Sequence, residues 1–178
     1  MPELTGTQAV TYTGGRLSLD EASRLLALAL EEARSYCRWH VMPVLQTSFT
    51  LDGPGAEVLL LPTGKLSSLD TISEDGIELD PATVLRVSAD GHRVKKRNGF
   101  WWTAEYGAIT GTMTHGYTTA PGFDQAVLML LDRISYAPDG GRPRVIGPIQ
   151  YDSDGEASPF TKVERGLLDK YRIELSAA

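Results

Sequence analysis

Cys37 is the only cysteine in the sequence, so no internal disulfide can form and a small cross-linked secreted scaffold is excluded. The three histidines, His40, His92 and His115, stand far apart in the chain. They lack the i, i+4 spacing of a helical zinc site and any cysteine pair beside them, so each is read as structural or as a surface residue and no metal site is assigned. No apolar run nears the ~18 residues that a membrane span requires. The opening MPELTGTQAV has neither a basic nor an apolar leader region. The expectation is a soluble protein, made in the cytoplasm and without a membrane partner. The phosphate-cradling G-x-x-x-x-G-K-[ST], the dinucleotide G-x-G-x-x-G and the acyl-transfer G-x-S-x-G are all missing, so no catalytic residue and no cofactor is assigned. An excess of positive charge is missing too. The formal charge of -6 argues against a dedicated nucleic-acid binder, although a local basic patch can sit inside an acidic total.

The sequence does carry enough apolar residues, 42%, for one domain-sized core in 178 residues. Residues 1–17 are polar, rich in Thr and Gly and without periodicity, and read as a flexible arm. Ser18-Leu-Asp-Glu21 is a capping-box pattern. Behind it Leu25, Leu26, Ala29, Leu30, Ala33, Tyr36 and Cys37 recur at helical spacing, predicting a helix to about Trp39 that ends before Pro43. Cys37 lies on that apolar stripe, so it reads as a small buried hydrophobe, not a nucleophile.

Between about 46 and 117 the pattern changes to short strands and turns. TSFTLDG and AEVLLLP flank Gly53-Pro54-Gly55, and LSSLDTIS and IEL flank Asp75-Gly76. VLRVS and HRVKKR flank Asp90-Gly91, and HRVKKR and FWWTAEY flank Asn98-Gly99, the strongest local hairpin signal in the chain. Residues 108–117 alternate, with Ile109, Gly111, Met113, His115 and Tyr117 on one side and Thr110, Thr112 and Thr114 on the other, as in a half-buried strand. After Thr119-Ala-Pro-Gly, residues 123–136 return to helical spacing through Val127, Leu128, Leu130, Leu131 and Ile134. The fold class is therefore α+β: a helical pair (about 18–39 and 123–136) with an inserted antiparallel sheet (about 46–117), and a C-terminal docking helix on a linker. The linker, 137–157, is rich in Pro, Gly and Asp. Its Asp152-Ser-Asp154-Gly155-Glu156 faintly resembles a calcium loop but has Val163 where the twelfth-position glutamate belongs, so a solvated acidic linker is the reading. In residues 158–178, Val163, Leu167, Leu168 and Tyr171 form a stripe that must dock on the chain's own body or on another chain, because so short a helix is unstable alone.

Two local features carry candidate contacts. Arg93, Lys95, Lys96 and Arg97 form the one basic cluster, either a hairpin that meets phosphates or an acidic partner, or a solubilising edge. Trp101 and Trp102 must point to opposite faces of a regular strand, one packed in the core and the other exposed or at an interface.

The order of these elements resembles the head–tail connector proteins of long-tailed bacteriophages, also called head-completion or adaptor proteins. The resemblance rests on LSLDEASRLLALALEEARSYC followed by VLLLP, on LSSLDTISEDGIELD, on TMTHGYTTAPGFDQAVLMLLDR and on PFTKVERGLLDKYR. It covers about residues 18–136 and 158–173. It implies a non-enzymatic virion protein of the neck, made in the host bacterium. Such a protein assembles as a ring, typically of twelve subunits, beneath the portal protein. It extends the channel for double-stranded DNA without binding it specifically, and joins the next head-closure or tail protein. Small members of the family are mostly helical, so the β insertion is a departure. On this resemblance the portal-docking element is the C-terminal helix, with Phe160, Val163, Leu167, Leu168, Tyr171 and Arg172, and Trp101 and Trp102 are inter-subunit or partner contacts. A negative lumen would also let DNA slide past. The alternative from another class is a small glycan- or cell-surface-binding module using the Trp-bearing insertion.

Overall fold

The computed structural model describes residues 3–89, 91–136 and 159–173. They divide into two compact units, a β unit made of 39–120 with Ile173 and a helical unit made of 3–38 with 121–172. The predicted linker, the acidic Asp152–Glu156 stretch and the last five residues lie outside the described residues.

The helical unit begins with α1 (Gly6–Tyr12). This corrects the expectation of a flexible arm. Thr5 caps the helix, its hydroxyl accepting from the Gln8 amide while the Gln8 side chain accepts from the Thr5 amide, and Ala9 is fully buried. Helix α2 (Leu19–Cys37) starts at Ser18, whose hydroxyl accepts from the Glu21 amide, and stops at Arg38, which turns left-handed at φ 66°. Its buried stripe is Ala22, Leu25, Leu26, Ala29, Leu30, Ala33 and Cys37, the predicted set with Ala22 added and Tyr36 half-buried. Helix α4 (Pro121–Ser135) buries Phe123, Ala126, Val127, Leu130 and Leu131 and packs against α2, as the helical pair requires. The last elements among the described residues are α5 (Lys162–Leu168) and a 3-10 turn (Asp169–Tyr171).

The β unit holds seven strands, β1 (Leu45–Leu51), β2 (Val58–Leu60), β3 (Leu66–Glu74), β4 (Ile77–Leu79), β5 (Leu85–Val87), β6 (Arg93–Lys96) and β7 (Ile109–His115), with a one-turn helix α3 (Pro81–Val84) before β5. They form not one sheet but two, both antiparallel: four strands in the order β1-β7-β3-β4 and three in the order β2-β6-β5. The β3–β4 and β5–β6 hairpins stand where their turns predicted. The hairpin expected across Asn98-Gly99 does not form. β1 and β2, either side of Gly53-Pro54-Gly55, belong to different sheets. Residues 100–106 are not a strand and form no backbone ladder with β6. They run instead beside residues 53–56, with the Trp102 amide donating to Ala56 O (2.8 Å) and the Gly55 amide to Thr103 O (2.9 Å). A Cβ on Gly53 would stand 2.2 Å from the Thr103 carbonyl oxygen, so this approach needs glycine.

β7 is an inner strand of the larger sheet, between β1 and β3, and is two-faced as predicted. Ile109, Met113 and His115 are buried, while the threonines form a polar ladder: Thr112 with Thr71 (2.8 Å), Thr110 with Ser73 (2.7 Å) and Thr114 with Asp70 (2.9 Å). Hydrogen bonds from Gln46, Ser68 and Thr114 hold the Asp70 carboxyl below its ordinary range. The buried face joins Phe49, Leu59, Leu61, Ile72, Leu85, Val94 and Trp102 in one core drawn from both sheets.

Candidate interaction surfaces

The basic cluster is split by the pleat of β6. Arg93 and Lys95 project from one face, and Val94 and Lys96 from the other. Lys96 is not available to a partner. Its ammonium lies 2.5 Å from the Glu74 carboxylate, donates to Trp101 O (2.9 Å) and sits 4.8 Å from the Trp102 ring centroid. Glu74 also accepts from the Thr103 amide (2.8 Å), so this well-covered pair fastens residues 101–103 to the end of β3. Arg97 donates to Ala82 O (3.2 Å), and Lys95 pairs with Glu57 (3.1 Å) with both side chains half-exposed, a contact worth at most about 1 kcal/mol. Arg86 on β5 lies directly opposite Lys95. Arg86 stands seven positions before Arg93 in the sequence, and only the sheet register unites them.

The two tryptophans divide as predicted, though not on a strand. Trp102 is 2% exposed and its indole N–H donates to Val94 O (3.4 Å), whereas Trp101 is 69% exposed. Phe100 and Tyr106 are exposed with it, on a loop held by the Asn98 carboxamide accepting from the Phe100 amide (3.1 Å) and by Asp52 accepting from the Gly107 amide (2.8 Å). Three exposed aromatics on one tethered loop are more than solubility alone favours. A glycan platform built on a tryptophan pair loses its basis, because Trp102 belongs to the core.

In the helical unit the C-terminal stripe docks on its own body. Phe160 and Leu168 are buried, Phe160 making an edge contact with Tyr36 (centroids 5.7 Å), and α5 packs on α4 and α2. Glu164, 2% exposed, accepts from Arg133 (2.6 Å) and from the Thr161 amide (2.6 Å), completing a capping box. Tyr171 packs edge-on to Phe123 (6.3 Å), and the Arg172 guanidinium lies 5.2 Å from the Tyr36 ring. The six residues predicted as one docking stripe are therefore not uniformly uncovered: Val163, 67% exposed, and half-buried Leu167 present apolar surface, while Phe160 and Leu168 do not. Burial pushes the Cys37 thiol up to about 12, which suits a packed hydrophobe and not a nucleophile.

One grouping was not legible in the sequence. His40 and His115, 75 positions apart by number, bring their rings to 4.3 Å between centroids, edge to face, with Trp39 at 6.1 Å from His115 and Tyr117 at 5.9 Å from Trp39. His40 Nε2 contacts Pro43 O (2.9 Å), and His115 Nε2 the Thr47 hydroxyl (2.8 Å). Only His40 of the two reaches a backbone carbonyl, and the buried Nδ1 of His115 has no hydrogen-bond partner. Burial, and secondarily the neighbouring His40, lower the His115 pKa to about 4, so the ring is neutral. Among the described residues no three His, Cys, Asp or Glu side chains gather as a metal site, and no helix is long and apolar enough to cross a membrane.

No family model matches the sequence, and no curated protein matches it. Solved structures do. A chain from the neck of an empty GTA particle, solved with C6 symmetry, superposes with a TM-score of 0.62 at 15% identity, covering 98% of this chain and 92% of that one. A chain from the neck of a native GTA particle, solved with C12 symmetry, gives 0.61 at 14% identity, covering 100% and 96%. At these identities the likeness is one of fold, and it runs the length of both chains.

Proposed function

We propose that this chain is a structural subunit of a particle neck, a head-to-tail connector that forms a ring beneath the portal, extends the DNA channel and carries the head-closure or tail proteins. The observation that supports this reading most is the end-to-end likeness of fold to chains from particle necks of C6 and C12 symmetry. The order of sequence motifs points the same way. The protein acts without catalysis, in the virion, after synthesis in the host cytoplasm, and twelve copies form the ring. The exposed side of α5, with Val163 and Leu167, meets the portal, while Phe160 and Leu168 hold that helix in place. Trp101, with Phe100 and Tyr106, contacts a neighbouring subunit or the next neck protein.

The test is native mass spectrometry and negative-stain imaging of the purified chain, alone and with the portal of its particle. A ring of sixfold or twelvefold symmetry on the portal is expected. A chain that stays monomeric in both arms and does not cosediment with the portal would overturn the reading. Separately, normal attachment of a chain lacking residues 158–178 to DNA-filled heads would remove the docking role of α5.

A further inference from the structure

The outward face of the three-stranded sheet concentrates positive charge that the acids among the described residues leave largely unanswered. β6 is the middle strand and sends Arg93 and Lys95 to one face, two positions apart. β5 places Arg86 directly across from Lys95, while β2 contributes only Val58 and Leu60 opposite Lys95 and Arg93. Arg86, Arg93 and Lys95 are all exposed. Among the described residues the side chains of Arg86 and Arg93 make no ion pair or hydrogen bond, and Lys95 has only its exposed contact with Glu57. Like charges directly opposite on neighbouring strands destabilise a sheet, and here the arrangement stands in a protein of net charge -6.

We propose that this face, Arg86, Arg93 and Lys95, binds the phosphate backbone of duplex nucleic acid without regard to sequence. The geometry favours a polymer over a single anion. On a sheet, cross-strand neighbours stand about 5 Å apart and i, i+2 neighbours about 6–7 Å apart, so the three cations spread over a flat lattice instead of converging on one oxygen cluster. A ligand that repeats its negative charge at intervals matches such a lattice, and the binding is driven by release of its condensed counterions. An acidic protein segment fits less well. Protein interfaces are anchored by aromatic side chains in pockets, and the strand positions of this face offer only Val58 and Leu60 beside the cations. The assignment goes beyond the ring reading and does not depend on it.

The test uses the full chain and a fluorescein-labelled random-sequence DNA duplex of about 30 base pairs, followed by anisotropy between about 50 and 200 mM salt. Three phosphate contacts predict that log K falls against log salt with a slope of about -2.7, that is ~0.9 for each contact. The triple variant Arg86→Gln, Arg93→Gln, Lys95→Gln should lose this binding, and each single variant should lower the slope by about 0.9. A charge-matched control in the helical unit, Arg24→Gln, Lys162→Gln, Lys170→Gln, should bind as the unchanged protein does. All three substituted face residues are exposed, so circular dichroism should report an intact fold, and the single variants carry the test if the triple variant does not fold. Absence of binding at the lowest salt, equal loss in both triple variants, or displacement by polyglutamate as effective as by unlabelled duplex would each overturn the proposal. Ring formation on the portal is read by a different measurement, so the two ideas fail separately.

Discussion

Acidification should loosen the β unit through one residue. His115 is 4% exposed, its Nδ1 lacks a partner, and the His40 ring stands edge-on at 4.3 Å, so the imidazolium is disfavoured in the folded chain and the pKa is lowered from 6.5 to about 4. In the unfolded chain the same ring titrates near 6.5. Between those values the unfolded state binds a proton that the folded state refuses, so stability is full above about pH 6.5 and falls as the pH drops toward 4. The displacement of 6.5 to about 4 corresponds to roughly 3 kcal/mol, at a limiting slope near 1.4 kcal/mol per pH unit. Urea unfolding at constant ionic strength, from pH 7.5 down to 4, measures it. Carboxylates titrate in the lower part of this window, so the informative quantity is the difference between the unchanged chain and His115→Gln. The variant should lose most of the slope between pH 6.5 and 5, whatever its absolute stability. Identical slopes in the two proteins would refute the reasoning.

Two further outcomes follow from packing. Trp102→Ala empties a site in the shared core and should cost about 3–5 kcal/mol, whereas Trp101→Ala, sixty-nine per cent exposed one position earlier, should change stability by no more than ~0.5 kcal/mol; paired thermal melts decide. Glu164→Ala removes both a buried acceptor for Arg133 and the return half of the α5 capping box, for a loss of about 2–4 kcal/mol, and cleavage by a protease within residues 159–172 should quicken while β-unit fragments persist.

What could be read in the sequence was local. The α2–α4 pair came from helical spacing, and the β3–β4 hairpin from Asp75-Gly76, because each depends on residues close in the chain. The failures share a cause. Asn98-Gly99 does turn the chain, with the Gly99 amide donating to Lys96 O (3.2 Å), but burial of Trp102 and the Lys96–Glu74 pair draw the following residues toward 53–56 and away from β6. A turn signal states that the chain bends and not which strand it meets next. Helix α1 is not legible in the sequence because its Thr and Gly content masks the Thr5–Gln8 cap. The basic cluster looked uniform as a string, whereas the pleat sends Lys96 inward and the register brings in Arg86. The His40–His115 contact follows from tertiary closure alone.

The position of β7 between β1 and β3 has a consequence in time. Leu45 of β1 and Leu66 of β3 both pair with His115, so the two flanking strands lack their common neighbour until that residue has been made. The interval from 45 to 115 is 70 residues, roughly 4–14 s of synthesis at ordinary ribosomal rates. During it β1 presents an unpaired edge, open to pairing with the same strand of another nascent chain. Slowing translation between β3 and β7 should therefore lower the soluble yield even though no amino acid is changed.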